Sequence, residues 1–200
     1  MSQIFFSLTL ALYGCSTLAY LIYLLRTTPG LGLWANRLVL AGFSAHLLST
    51  IHRFSSSGHL PITNMHESLS FFGLVIVGAY ILIERKYKVT ILGPFVIPVA
   101  LMLVITSSAF PMAIRELNPA LKSNWLWIHT IMAFISYAMF TIAFGTAVVY
   151  LIQQYFLKKK RLGALFQKLP SLNTLDDISY RCLTVGFPLL TVAIITGAIW

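Results

Sequence analysis

The chain has 200 residues, 58% hydrophobic and 10% charged, with a mean hydropathy of +0.84 and a formal net charge of +9. A soluble domain of this size has too much surface for its volume to hide so much apolar side chain, so a water-soluble globule is excluded. The basic excess would point to nucleic acid in a soluble protein. In a chain this apolar it marks the cytoplasmic loops of a membrane protein, and no nucleic-acid partner is expected.

Several runs approach or exceed the roughly 20 apolar residues that cross a bilayer. Backbone N–H and C=O groups in lipid must bond within their own segment. The expected fold class is therefore all-α: a polytopic integral membrane bundle of about six transmembrane helices, forming a single membrane domain over residues 1–200. The first span is read from about Ile4 to Leu25. Met1-Ser2-Gln3 lacks the basic region of a cleaved signal peptide, so this helix is expected to be retained. A turn-rich segment and Asn36-Arg37 lead to a short second span, about Leu38 to His52, which carries His46. A loop from Arg53 follows. Asn64, with Glu67 three residues on, reads as an N-cap with its partner carboxylate. The third span covers about Ser68 to Ile83 and ends in the basic turn Glu84 to Lys88. The fourth, about Val89 to Thr106, contains Pro94 and Pro98 and is expected to kink. A polar loop to Asn124 holds Arg115, Glu116 and Lys122. The fifth span starts at Trp125 and continues to Leu157. At 1.5 Å per residue that is about 50 Å, so it projects beyond the bilayer. Leu162 to Asp177 reads as an amphipathic surface segment, with Thr174 and Asp177 capping a sixth span from about Ile178 to Trp200. Cys15 and Cys182 have no CxxC or zinc spacing and read as small packing residues.

Lys and Arg divide unevenly between the loops. The first, third and fifth hold two, three and six, against one and two in the second and fourth. The odd loops are therefore expected in the cytoplasm, and the N-terminus outside. That topology gathers His52, His59, His66 and His129 near the outer face, with His46 deeper.

A histidine inside a membrane helix is costly unless something ligates it or bonds it. His129, flanked by Trp125 and Trp127 at interfacial depth, is the leading candidate ligand. Zinc accepts imidazole, but no Cys or carboxylate stands at a suitable spacing. Haem accepts an axial imidazole and wants an apolar bed, which Trp125, Trp127, Phe71 and Phe72 could supply. The other reading of His129 is a hydrogen bond to a neighbouring carbonyl. His59 and His66 read first as ordinary interfacial histidines and only second as ligands; His46, within a span, lies between. Arg53, Arg115 and Lys122 could meet haem propionates.

A set of motifs then occurs in order. These are Gly58-His59-Leu60-Pro61, Asn64-Met65-His66-Glu67-Ser68-Leu69, Trp125-Leu126-Trp127-Ile128-His129 and Leu175-Asp176-Asp177-Ile178-Ser179-Tyr180-Arg181. They are followed by Gly186-Phe187-Pro188-Leu189-Leu190-Thr191 and Thr196-Gly197-Ala198-Ile199-Trp200. The set resembles the cytochrome c assembly family, in its CcsA or ResC type from system II, related to CcmC and CcmF. The resemblance implies a subunit of a holocytochrome c synthase complex in the bacterial inner membrane. Such a subunit binds haem b at the outer face and works with a ResB-type partner membrane subunit. It presents haem to apocytochrome c, where thioether bonds form with the cysteines of a CxxCH motif. In the family, one outer histidine precedes a tryptophan-rich loop and one follows it, and both ligate the iron; His129 matches the first. The loop and the second histidine are expected beyond Trp200, so the domain is expected to be incomplete at that end. Two other classes remain open. A membrane b-type haem electron carrier would need His46 and His129 paired across facing helices. A small-molecule permease would fit the prolines of the fourth span, but no inverted repeat accompanies them.

Overall fold

The computed structural model describes residues 1–26, 30–113, 123–160, 163 and 165–199. Arg115, Glu116, Lys122 and Trp200 lie outside the described residues. The described residues form six α-helices and no strand: α1 (Ser2–Leu25), α2 (Leu31–Ser57), α3 (Met65–Tyr87), α4 (Gly93–Ser108), α5 (Asn124–Lys158) and α6 (Leu172–Ile199). α1, α3, α5, α6, and α4 taken with the 3-10 turn Thr90–Leu92 before it, are long and apolar enough to cross a membrane; α2 falls short in composition, not in length. The chain is a helical membrane protein.

Local chemistry sets the helix ends. Asn64 caps α3 by accepting the Glu67 N–H at 2.9 Å, as its spacing suggested. Gly58, with φ 71, closes α2 and donates its N–H to the Phe54 carbonyl at 2.9 Å. That left-handed turn suits a residue without a Cβ. Pro94 sits in the first turn of α4, where its missing N–H leaves nothing unpaired, while Pro98 lies inside the helix.

Two expected boundaries are corrected. The second helix is not a short span from Leu38 to His52 but runs over 27 residues. Its polar ends continue the helix because they find partners on neighbouring helices: Asn36 bonds Tyr20 and Glu84, and Arg53 bonds Glu67. Leu162 lies outside the described residues; among those described before the last helix there is a 3-10 turn, Phe166–Lys168, and α6 already begins at Leu172. Ser171, not Thr174, opens that helix, accepting the Thr174 N–H at 3.1 Å. Lys168 reaches across to the end of α1 and donates to the carbonyls of Tyr23 (2.6 Å) and Arg26 (2.8 Å). A cation there complements the negative end of the helix dipole.

The helices pack chiefly as consecutive pairs, α1 with α2, α3 with α4 and α5 with α6; α4 also packs on α1, and α3 on α5. Large apolar side chains such as Leu18, Trp34, Phe144 and Phe187 point outward. The interior takes in Tyr13, Ser16, Tyr20, Ser136 and Thr146, all fully buried. This arrangement suits lipid, which gives apolar helices no reason to associate, so small and polar residues make the contacts. Gly42 on α2 is one such notch, filled by Tyr13 of α1. A Cβ at Gly42 would stand 2.7 Å from the Tyr13 ring. Gly42→Ala is expected to destabilise the fold by about 1–3 kcal/mol through overpacking. Gly14→Ala, at a position with nothing within 4 Å, should not. Thermal unfolding of the two variants in one detergent checks the contrast.

Candidate functional site

His129 lies in the second turn of α5, half-buried, one turn beyond the half-exposed Trp125. Residues four apart share a helix face, so Trp125 and His129 stand one above the other. Trp127, two residues away, projects from a different face. The His129 ring meets α6: its Nδ1 lies 2.7 Å from the Ala193 carbonyl oxygen. A carbonyl can only accept, so Nδ1 carries the proton and donates. In the neutral ring this leaves the lone pair on Nε2, the nitrogen able to bind a metal. Such a carbonyl partner fixes the tautomer and orientation of an imidazole ligand.

The close approach of the two helices depends on Gly197. A Cβ there would stand 2.6 Å from His129 Nδ1 and 2.8 Å from its Cε1. The same seam is tight further along, where Ser136 Oγ donates to the Gly186 carbonyl at 2.7 Å and a Cβ on Gly186 would meet the Phe140 ring at 2.6 Å. Ala193 and Gly197 are the contributors that the site reading from sequence missed. Their signal was the pair of small residues four apart, a common mark of close helix packing in membranes.

The other candidate histidines are placed elsewhere. His46 is fully buried, with Nε2 2.9 Å from Ser70 Oγ and Nδ1 3.4 Å from the Tyr13 hydroxyl. Both ring nitrogens are engaged, which argues against a shared iron with His129 across facing helices. His66 Nδ1 donates to the Ser107 carbonyl at 3.0 Å, and its ring packs 5.0 Å from that of Phe6. His59 Nδ1 donates to the carbonyl of the next residue, Leu60, at 3.1 Å. Phe71 and Phe72 do not bed against the tryptophans. They pack on Phe134 of α5, with Phe72 stacked at 5.2 Å, about 7.5 Å further along the helix than His129. Among the described residues no group of three or more His, Cys, Asp or Glu could hold a metal ion. A single free imidazole nitrogen fits the axial position of a haem better than it fits zinc.

Arg53 is spent differently from the expectation. Its Nε donates to Glu67 Oε1 at 2.7 Å, with Arg53 7% and Glu67 2% exposed. Glu67 Oε2 also accepts the Thr63 N–H at 3.0 Å and the Thr63 hydroxyl at 2.8 Å. The pair walls a cavity of about 20 Å³ together with His66, Ser70 and Phe71. That is room for about one water and none for a macrocycle. Breaking a buried pair from one side leaves an uncompensated charge, so Glu67→Leu alone should destabilise by about 3–5 kcal/mol. Adding Arg53→Met should recover part of the loss, and melting curves of the single and double variants read the difference.

Comparison with known proteins extends this geometry. The family described as Cytochrome C assembly protein matches residues 62–200. The chain belongs to that family. It is similar to the cytochrome c biogenesis protein CcsA of Guillardia theta, at 34% identity over 167 residues that cover 74% of this chain and 56% of that protein. It is also similar to CcsA of Mesostigma viride, 30% identical over 217 residues, covering 96% of this chain and 69% of that one. Protein HemX of Brevibacillus brevis is 26% identical over 196 residues, covering 98% of this chain and 72% of that protein. The chain thus spans a little over half the length of the first of these cytochrome c assembly relatives.

Proposed function

We propose that the chain is a haem-handling membrane subunit of cytochrome c biogenesis, with His129 as an axial ligand of haem b at the outer membrane face. The observation that carries this reading is the bond from His129 Nδ1 to the Ala193 carbonyl, which leaves Nε2 free on a half-buried ring that shares its helix face with Trp125. When bound, haem supplies the iron and the vinyl groups to which cysteine thiols add. Ala193 orients the imidazole and fixes its tautomer. Gly197 leaves the room the ring needs. Trp125 covers the same helix face, and Trp127, about 200° round the helix, helps set the interfacial depth of the site from nearly the opposite one. His46, His59 and His66 serve packing and loop closure on this reading. Membership of the family supports an apocytochrome c substrate, and a ResB-type partner subunit is proposed alongside it. The bacterial inner membrane, with the N-terminus outside, is the proposed setting, supported by the Lys and Arg asymmetry between loops.

His129→Ala, made in a full-length protein with its partner subunit, is expected to lose most bound haem and to stop maturation. Imidazole in the medium should partly restore both. Gly197→Ala, which supplies no ligand atom, should weaken haem binding by about tenfold through the displaced ring, as other disturbances behind a ligand do. The absorption spectrum of the purified protein measures haem content apart from activity. Unchanged haem content in His129→Ala would remove the ligand assignment. Orientation is checked separately with reporter fusions: one after Arg161 should report cytoplasm and one after Asn124 the opposite side.

A further inference from the structure

A cleft of about 480 Å³ opens between the end of α3 and the first half of α6, with α5 behind it. Its lining includes Ile83 and Lys86 from α3, Met139 from α5, and Arg181, Cys182 and Val185 from α6. None of the residues that line it is a histidine. The lining is graded. Lys86 lies in the last turn of α3, and Ile83 is about 4.5 Å deeper. Val185 is likewise about 6 Å further along α6 than Arg181. Cations thus stand at the mouth and apolar side chains line the interior.

The charges at the mouth are available to a ligand. Arg181 bonds Asp177 through Nε alone, at 2.9 Å to each carboxylate oxygen. Among the described residues its terminal nitrogens have no partner. Asp177 also accepts the Tyr87 hydroxyl at 3.0 Å, so the one acid at the mouth is already bonded twice over. The same end of the bundle carries Arg85, Lys88, Lys158, Lys159, Lys160 and Lys168. A basic pocket between membrane helices at a basic membrane face matches the headgroup of an anionic lipid.

We propose that this cleft binds an anionic phospholipid, with its phosphate on Lys86 and Arg181 and an acyl chain along Ile83, Met139 and Val185. A zwitterionic lipid offers the two cations less. A porphyrin would find no imidazole for its iron. The assignment uses only this cleft and its charges and is independent of the role given to His129.

The test is native mass spectrometry of the full-length protein in mild detergent, with phosphatidylglycerol and phosphatidylcholine as probes. Phosphatidylglycerol should be retained and phosphatidylcholine should not. The double change Lys86→Gln with Arg181→Gln should lower retention by about tenfold or more, each charge contributing as a basic residue does at an anionic surface. Lys158→Gln with Lys159→Gln, on the same side but outside the cleft, should leave retention unchanged. Val185→Trp should also exclude the lipid by filling the cleft. Should that variant fail to fold, the charge variants decide. Equal retention of the two lipids would overturn the proposal, as would normal retention in the Lys86/Arg181 variant. Displacement of bound phosphatidylglycerol by added haem would assign the cleft to a porphyrin and overturn it as well.

Discussion

A polar group inside hydrocarbon has no water to turn to, and this constraint decides how the six helices are joined. Near one end of the bundle, Tyr20, Asn36, Tyr80, Glu84 and Thr90 form a single cluster. Asn36 donates to Glu84 Oε1 at 2.8 Å, Thr90 donates to the same oxygen at 3.1 Å, and the two tyrosine hydroxyls lie 2.9 Å apart. Toward the other end, Arg53, Glu67 and Thr63 form the second cluster. Each binds α2 to α3, and the first also takes in α1. Apolar packing alone could let these helices slide, because lipid tails are as good a neighbour as leucine. Two polar clusters near opposite ends fix both register and rotation, although the second leaves Arg53 Nη2 buried without a hydrogen-bond partner among the described residues.

The pair α5 and α6 is held by a different device. Its buried α6 residues, Leu175, Ile178, Cys182, Gly186, Ala193 and Thr196, recur at spacings of three, four, four, seven and three. That rhythm is the stripe one helix turns toward another. Because the stripe is small at Gly186 and Ala193, and Gly197 beside it has no side chain, the backbones approach closely. Close approach makes backbone carbonyls available as acceptors to the facing helix. Ser136 uses one, at Gly186, and His129 uses another, at Ala193. The imidazole is thus oriented by packing that has no chemical function of its own.

Much of this was legible in the chain. Hydropathy located all six helices, two of them with other boundaries, the Asn64 cap was readable from its spacing with Glu67, and the length of α5 came within two residues of that observed. The error in α2 has a plain cause. Asn36 and Arg53 were read as the polar limits of a short second span, when each has a buried partner elsewhere in the sequence. A polar residue near a helix end looks the same in sequence whether it meets water or a carboxylate on another helix. The same blindness affected the histidines. Sequence could pick out His129 by its tryptophans, but could not say that His46 has both nitrogens engaged or that His129 has one.

For His129 the two readings set against each other in the sequence, a metal ligand or a histidine bonded to a carbonyl, turn out to be compatible. An imidazole has two nitrogens, and one bond to a carbonyl does not use up the other. It selects the tautomer in which the remaining nitrogen holds a lone pair. A carbonyl in a neighbouring turn of α5 would tie the ring to its own helix. The Ala193 carbonyl belongs to α6, so the position of Nε2 is set by two helices at once. Any change that spreads the seam therefore moves Nε2, and a Cβ at Gly197, 2.6 Å from Nδ1, would press on the ring directly.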